Sequence, residues 1–268
     1  MSSFTDFENS IAVVTGGASG IGREITFQLV NIGTHVAVCD VDEVKLENVV
    51  TEAKKINPNV KITRHKCDVA KEDEVEIMVK EVAKQHNTNS INLLFNNAGI
   101  VGGRSFIKSS QKEWEKTFNV SWVGTYLCTR YFLKMLLMSK QGVVVNTSSV
   151  NALWASLGQK ESHSAYSTAK FAVRGFTESL IVDFQANAPH LSAMLVLPGH
   201  IKTGMPSPPK SWRNSFNGII KDYIPVSAED AAIVIINAIK KGDWRVLIGQ
   251  DAYAIDKIVR ENPFSIYD

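Results

Sequence analysis

Short runs of consecutive apolar residues, rich in Val and Ile, alternate along this chain with longer stretches whose apolar positions recur every three or four residues. The first pattern marks strands buried on both faces of a sheet, the second helices with one buried stripe. Strands are predicted over Ile11–Thr15, Val36–Asp40, Val60–Asp68, Ile91–Asn96, Val143–Thr147, Ser192–Leu197 and Arg245–Ile248. Helices are predicted near Gly22–Asn31, Glu43–Ile56, Glu72–His86, Lys112–Met138, Ala165–Gln185 and Ala228–Lys241. Alternation sustained this long predicts one doubly wound, Rossmann-like α/β domain over residues 1–268, a parallel seven-stranded sheet with helices on both faces. No repeat, low-complexity tract or linker interrupts it. The tail after the last strand keeps helical spacing at Ala252, Ile255, Ile258 and Val259, and the pattern assigns it no role.

Composition narrows the classes of function. A net charge of +2, with no basic run longer than a pair, gives no electrostatic footprint for nucleic acid. No apolar stretch is long enough to span a bilayer, and the acidic N-terminus lacks the apolar core of a signal peptide. Cys39, Cys67 and Cys128 lack metal-ligand spacing and read as reduced, mostly buried thiols, as expected of a cytoplasmic protein. The six histidines form no H-x-H or H-x-x-x-H pair, so no metal is expected.

Two stretches carry candidate chemistry. The first strand runs into Thr15-Gly16-Gly17-Ala18-Ser19-Gly20-Ile21-Gly22, and a helix follows at once. Glycines there let the backbone turn tightly and approach a pyrophosphate at the positive end of the helix. Asp40 ends the second strand, where a carboxylate would bind adenosine ribose hydroxyls, although it could also cap a helix. Further on, Tyr166 and Lys170 stand four residues apart at the start of a strongly helical segment, hence on one helix face. An ammonium beside a phenol favours phenolate, as a proton-transferring group working near neutral pH requires.

Together these motifs resemble the short-chain dehydrogenase/reductase family in its compact single-domain form, from about Ile11 to Thr203. The resemblance makes Gly16, Ser19, Gly20, Ile21 and Gly22 the cofactor turn, and Asp68 and Val69 the element that contacts adenine. Asn97, Ala98 and Gly99, after Asn96, match the family's own signature. Pro198, Gly199, Ile201 and Thr203 match the loop that holds the nicotinamide carboxamide. Tyr166 is implied as acid/base, Lys170 as the cation that lowers its pKa and binds the nicotinamide ribose, Ser149 as the hydrogen-bond donor to the substrate oxygen. Asn119 is implied to hold a water linking Lys170 to solvent. Thr147 and Ser149 share one side of their strand and Ser148 takes the other, and the resemblance selects Ser149.

The expected activity is interconversion of a secondary alcohol and a ketone by hydride transfer. The alternatives are an NADPH-linked carbonyl reductase and a catalytically silent dinucleotide sensor. Asp40 would repel a 2′-phosphate and no basic residue follows it, so NAD is expected over NADP. Leu153 and Trp154, with His163 and His200, are candidates for the substrate pocket, which holds no obvious carboxylate-binding Arg; a small neutral substrate is expected. The segment 205–225, opening with Met205-Pro206-Ser207-Pro208-Pro209, is expected to be a substrate-binding lid. Family members pair through helices equivalent to Ala165–Gln185 and the one before it, implying a homodimer or homotetramer.

Overall fold

The computed structural model describes residues 3–157, 162–203, 224–264 and 266–267; the expected lid lies outside them, apart from its last two residues. Seven strands form one parallel sheet: β1 (Ile11–Thr15), β2 (His35–Asp40), β3 (Ile62–Lys66), β4 (Leu93–Asn96), β5 (Gly142–Thr147), β6 (Leu191–Pro198) and β9 (Arg245–Ile248), in the spatial order β3-β2-β1-β4-β5-β6-β9. Two short strands, β7 (Ile201–Lys202) and β8 (Val226–Ser227), pair with each other outside it.

Strand side chains alternate between two cores, as the two-residue period requires. Ala12, Val14, Val36, Val38, Leu93, Phe95, Val143 and Val145 face one layer, built by α1 (Gly20–Asn31), α2 (Glu43–Ile56) and α7 (Ala228–Lys241). Val13, Ala37, Cys39, Leu94 and Val144 face the other, built by α3 (Glu72–His86), α5 (Gly124–Leu137) and α6 (Ser164–Asn187). Both layers being apolar explains why the strands read as continuous runs rather than alternating ones. A third cluster sits at the β6/β9 edge, where α8 (Gln250–Glu261) packs Ala252 and Ile255 onto Leu195 and Leu197. The tail is thus a docked helix.

The long helix expected over Lys112–Met138 is interrupted. α4 (Gln111–Phe118) opens into one wide π-helical turn over Asn119–Val123 before α5 begins, with Gly124 N–H donating to Asn119 O. Such turns insert a residue into the helical register and frequently sit at functional sites. The sequence pattern cannot show this, because the apolar stripe resumes on both sides.

The edge strand β3 carries a polar cluster with a measurable consequence. The Thr63 hydroxyl lies 2.8 Å from Nε2 of both His65 and His86, so it donates to one ring and accepts from the other. Burial lowers both histidines, His86 to about 4, and for His65 it outweighs the opposing Glu81 carboxylate. Both rings therefore stay neutral in the folded chain at pH values where an unfolded histidine, of pKa about 6.5, is protonated. Stability is full above that value and is lost as pH falls from there towards 4. Allowing for solvent at an edge strand, urea unfolding should show a loss of about 1–2 kcal/mol between pH 7 and pH 5. His86→Gln should flatten that slope, and an unchanged slope would remove His86 as its source.

Candidate active site

β1, β4, β5 and β6 lie side by side and point the same way, so the loops at their C-terminal ends meet. The strand order reverses between β1 and β4, which is where an open α/β sheet forms its crevice. The turn after β1 lies there. Gly20 adopts φ +53°, a left-handed conformation that glycine takes without strain, and α1 starts abruptly from it. Ser19 supplies no side-chain cap, and no acidic residue sits in the first turn. Backbone N–H groups there are left facing outward under the positive helix end, so the residues present fit a dinucleotide pyrophosphate.

The turn is fastened from three sides. Gly17 N–H donates to Cys39 O at 2.9 Å. Asp40 accepts from Ala18 N–H at 3.1 Å and from Asp42 N–H at 3.2 Å. Asn97 Nδ2 donates to Thr15 O and Gly16 O. Thr15, which opens the glycine motif, is saturated: its hydroxyl accepts from Asn97 and Ala98 N–H and donates to Phe95 O. Ala98 packs on the turn so closely that a Cβ at Gly16 would lie 2.8 Å from its Cα. Asp68 receives Ala70 N–H, and Val69 is buried against Gly124. Ile21 packs on the sheet core, and the Ile201 side chain is buried in it, leaving Ile201 only its backbone to offer a ligand. Thr203 lies over the turn: a Cβ at Gly20 would be 3.1 Å from its Cγ2.

The residues expected to serve proton transfer gather above β5. Ser148 and Ser149 diverge as strand alternation requires. The Ser148 hydroxyl donates to Lys170 O and pins α6, whereas Ser149 lies against Tyr166. Lys170 is buried at 3% exposure, and its Nζ donates to Thr147 O at 2.7 Å, just past the last β4–β5 pair, Asn96↔Asn146. Burial draws its ammonium down to about 8. A Cβ at Gly99 would be 3.3 Å from Lys170 Nζ, so the β4 loop touches the cation. Lys170 Nζ sits 5.6 Å from the centre of the Tyr166 ring.

The electrostatics differ from the simple expectation of a lysine depressing its neighbour. Burial pushes the Tyr166 phenol up, and the Ser149 hydroxyl pulls it back down. The ammonium donates a hydrogen bond to Thr147 O.

Two expected placements need correcting. Asn119 is exposed, because the wide turn begins at it and carries its side chain outward; its backbone O accepts from Gly124 N–H. The polar group that reaches the site is Ser121, fully buried, whose hydroxyl bridges Ile100 N–H and O and lies 3.6 Å from where a Gly99 Cβ would be. Leu153 and Trp154 are buried in the third core cluster with Ala252 and Ile255 of α8, so they brace the β5 loop rather than line an open wall. His163 immediately precedes α6, and His200 follows Gly199 in the β6 loop; both are half-buried. Pro198 ends β6, paired with Ile248. Trp114 Nε1 donates to Ser164 Oγ, and Ser164 and Ala165 N–H donate to Arg104 and Gly103 O, sewing the β4 loop to the start of α6.

Comparison with known proteins agrees with this architecture. The sequence model of the short chain dehydrogenase family matches residues 10–214. SadH of Mycobacterium tuberculosis, designated an oxidoreductase, is 33% identical over 264 residues, covering 96% of this chain and 92% of its own. A short-chain dehydrogenase/reductase from Burkholderia phymatum, solved with NAD, superposes with a TM-score of 0.82 at 24% identity, over 97% of this chain and 96% of that one. A short-chain dehydrogenase from Burkholderia cenocepacia, solved with NADP, gives 0.81 at 22% identity, over 93% and 100%.

These neighbours overturn the expected choice of NAD over NADP. Besides the Burkholderia cenocepacia enzyme, two further chains of this fold hold NADP or 5-hydroxy-NADP, against one holding NAD. The structure supplies the physical reason why Asp40 is a poor guide. Both its oxygens are engaged by backbone N–H groups of the turn and the following loop, so its presence is accounted for by turn geometry. Among the described residues no helix is long and apolar enough to cross a membrane, and no cluster of His, Cys, Asp or Glu could hold a metal.

Proposed function

The chain belongs to the short-chain dehydrogenase family, and from that premise we propose that it is an NAD(P)-dependent oxidoreductase interconverting a secondary alcohol and a ketone. The observation that carries this reading is the contact chain running from Ser149 to Tyr166, to Lys170, to Gly99 and so to the glycine turn. It supports reading Tyr166 as a proton-transferring phenol beside a dinucleotide cradle. A dinucleotide held in this crevice would supply the hydride chemistry. Tyr166 moves the proton at the substrate oxygen, giving it in ketone reduction and taking it in alcohol oxidation. The Ser149 hydroxyl holds that oxygen and stabilises the charge that develops on it. Lys170, buried and tied to Thr147 O, keeps a positive charge close to the ring and within reach of a ribose.

The test is a panel of secondary alcohols, diols and ketones, assayed by nicotinamide absorbance with both cofactors. Turnover of no secondary alcohol or ketone, with dinucleotide still bound, would leave the silent-sensor reading standing.

Lys170→Ala should reduce turnover and weaken dinucleotide binding together. The wild-type ammonium is charged below about pH 8 and favours phenolate. Without it the apparent pKa that governs alcohol oxidation should move upward, read from kcat/KM against pH. An unshifted profile would dissolve the Tyr166–Lys170 partnership.

A further inference from the structure

α8 carries a buried carboxylate where a docked helix would ordinarily place an apolar residue. Asp251, at 0% exposure, is one of three buried residues on that helix, with Ala252 and Ile255. Burying a carboxylate is costly unless it is hydrogen-bonded. Here Asp251 Oδ2 accepts from His200 N–H at 2.6 Å, a charge-assisted bond, and the N-terminal end of α8 adds favourable potential. The contact is close enough that Gly199 has no room for a side chain: a Cβ there would fall on the Asp251 carboxylate.

The group held by Asp251 is the loop after β6. Gly199 N–H donates to Ile248 O at 2.9 Å, and the next amide, His200, donates to Asp251. Two successive backbone donors are thus anchored to β9 and α8. Three residues later the same loop places Thr203 over Gly20 of the dinucleotide turn. The carboxylate therefore stands at one end of a short segment whose other end lies against the glycine turn.

We propose that Asp251 is a positioning residue for the dinucleotide: through the His200 amide it fixes the Pro198–Thr203 loop, making the C-terminal helix part of the cofactor site. The inference rests on the reading of that crevice as a dinucleotide site. It assigns the tail a local task, holding the loop after β6 over the pyrophosphate turn and towards the nicotinamide end of the ligand, and leaves the adenosine end to the loops after β2 and β3.

The test uses the full chain and two probes. 5′-AMP reaches the adenosine contacts alone, and NADH or NADPH, whichever the wild type binds more tightly, engages the pyrophosphate turn and the loop over it as well. By calorimetry, Asp251→Ala should weaken the reduced dinucleotide about tenfold relative to wild type and change 5′-AMP less than twofold. Asp251→Asn, whose amide oxygen still accepts from His200 N–H, should bind within about threefold of wild type. Amide exchange at His200 without ligand should accelerate in Asp251→Ala and much less in Asp251→Asn. Where Asp251→Ala does not fold, Gly199→Ala, which drives a methyl group onto the carboxylate, should reproduce the selective loss. Equal weakening of both probes, or of neither, overturns the proposal and leaves the dinucleotide reading intact. A wild-type chain that bound neither probe would overturn both.

Discussion

Tyr166→Phe should lower turnover by at least about two orders of magnitude, the scale of losing a general acid/base, while dinucleotide affinity stays within about twofold. The substitution removes one oxygen and keeps the ring, so the packing around the half-buried residue persists. What disappears is the atom on which burial and Ser149 act in opposite directions. Ser149 keeps local partners, since its hydroxyl also meets Asn151 N–H and side chain, so the fold should hold. Combining Tyr166→Phe with Ser149→Ala should cost less than the product of the single effects, because both groups serve one substrate oxygen. Stopped-flow and steady-state rates on a substrate found in the panel decide the matter. A Tyr166→Phe enzyme at near wild-type turnover would falsify the phenol mechanism while leaving the fold untouched.

Gly22→Ala should have the second large effect, on binding rather than on chemistry. A Cβ at this position would overlap Gly16 O and lie 2.5 Å from Asn97 Nδ2. The first is backbone and cannot rotate away, and the second is held by two carbonyls, Thr15 O and Gly16 O. The turn must therefore open, moving the first N–H groups of α1 away from where an anion sits. Overpacking of this kind costs about 1–3 kcal/mol of stability. Dinucleotide affinity should fall at least about tenfold, measured by calorimetry at a temperature where the variant is folded. Binding at wild-type strength would show that the glycine turn does not cradle the cofactor.

Most of the architecture was legible in the chain. The spans Glu43–Ile56, Glu72–His86 and Ala228–Lys241 form helices with the expected bounds, and each predicted strand exists within a few residues of its expected limits. These elements are set by local periodicity and by ends that announce themselves. Asp42 and Ser227 cap their helices, and a left-handed Gly242 stops α7. The turn at Gly16–Gly22 and the Tyr166/Lys170 spacing were legible for the same reason, since each is a short segment whose geometry follows from its own residues.

The remaining features depend on contacts between residues distant in sequence, and local pattern is silent about them. Asn119 and Ser121 differ by two positions, and only the wide turn between α4 and α5, which adds a residue to the register, decides which one is buried. Leu153 and Trp154 read equally well as pocket lining or core until α8 is seen docked on them, about a hundred residues later. Asp40 read as a selector of cofactor because its hydrogen bonds to the turn appear only once β1 and β2 lie side by side. No local pattern singles out Asp251, and only the pairing of β6 with β9 brings His200 N–H to it. The sequence by itself determined the layered sheet, the glycine turn and the helical spacing of the phenol and the ammonium, because periodicity and turn chemistry act over a few residues. The tertiary structure alone decided which polar groups are buried together, because burial and charge are properties of the packed neighbours and not of the segment that carries them.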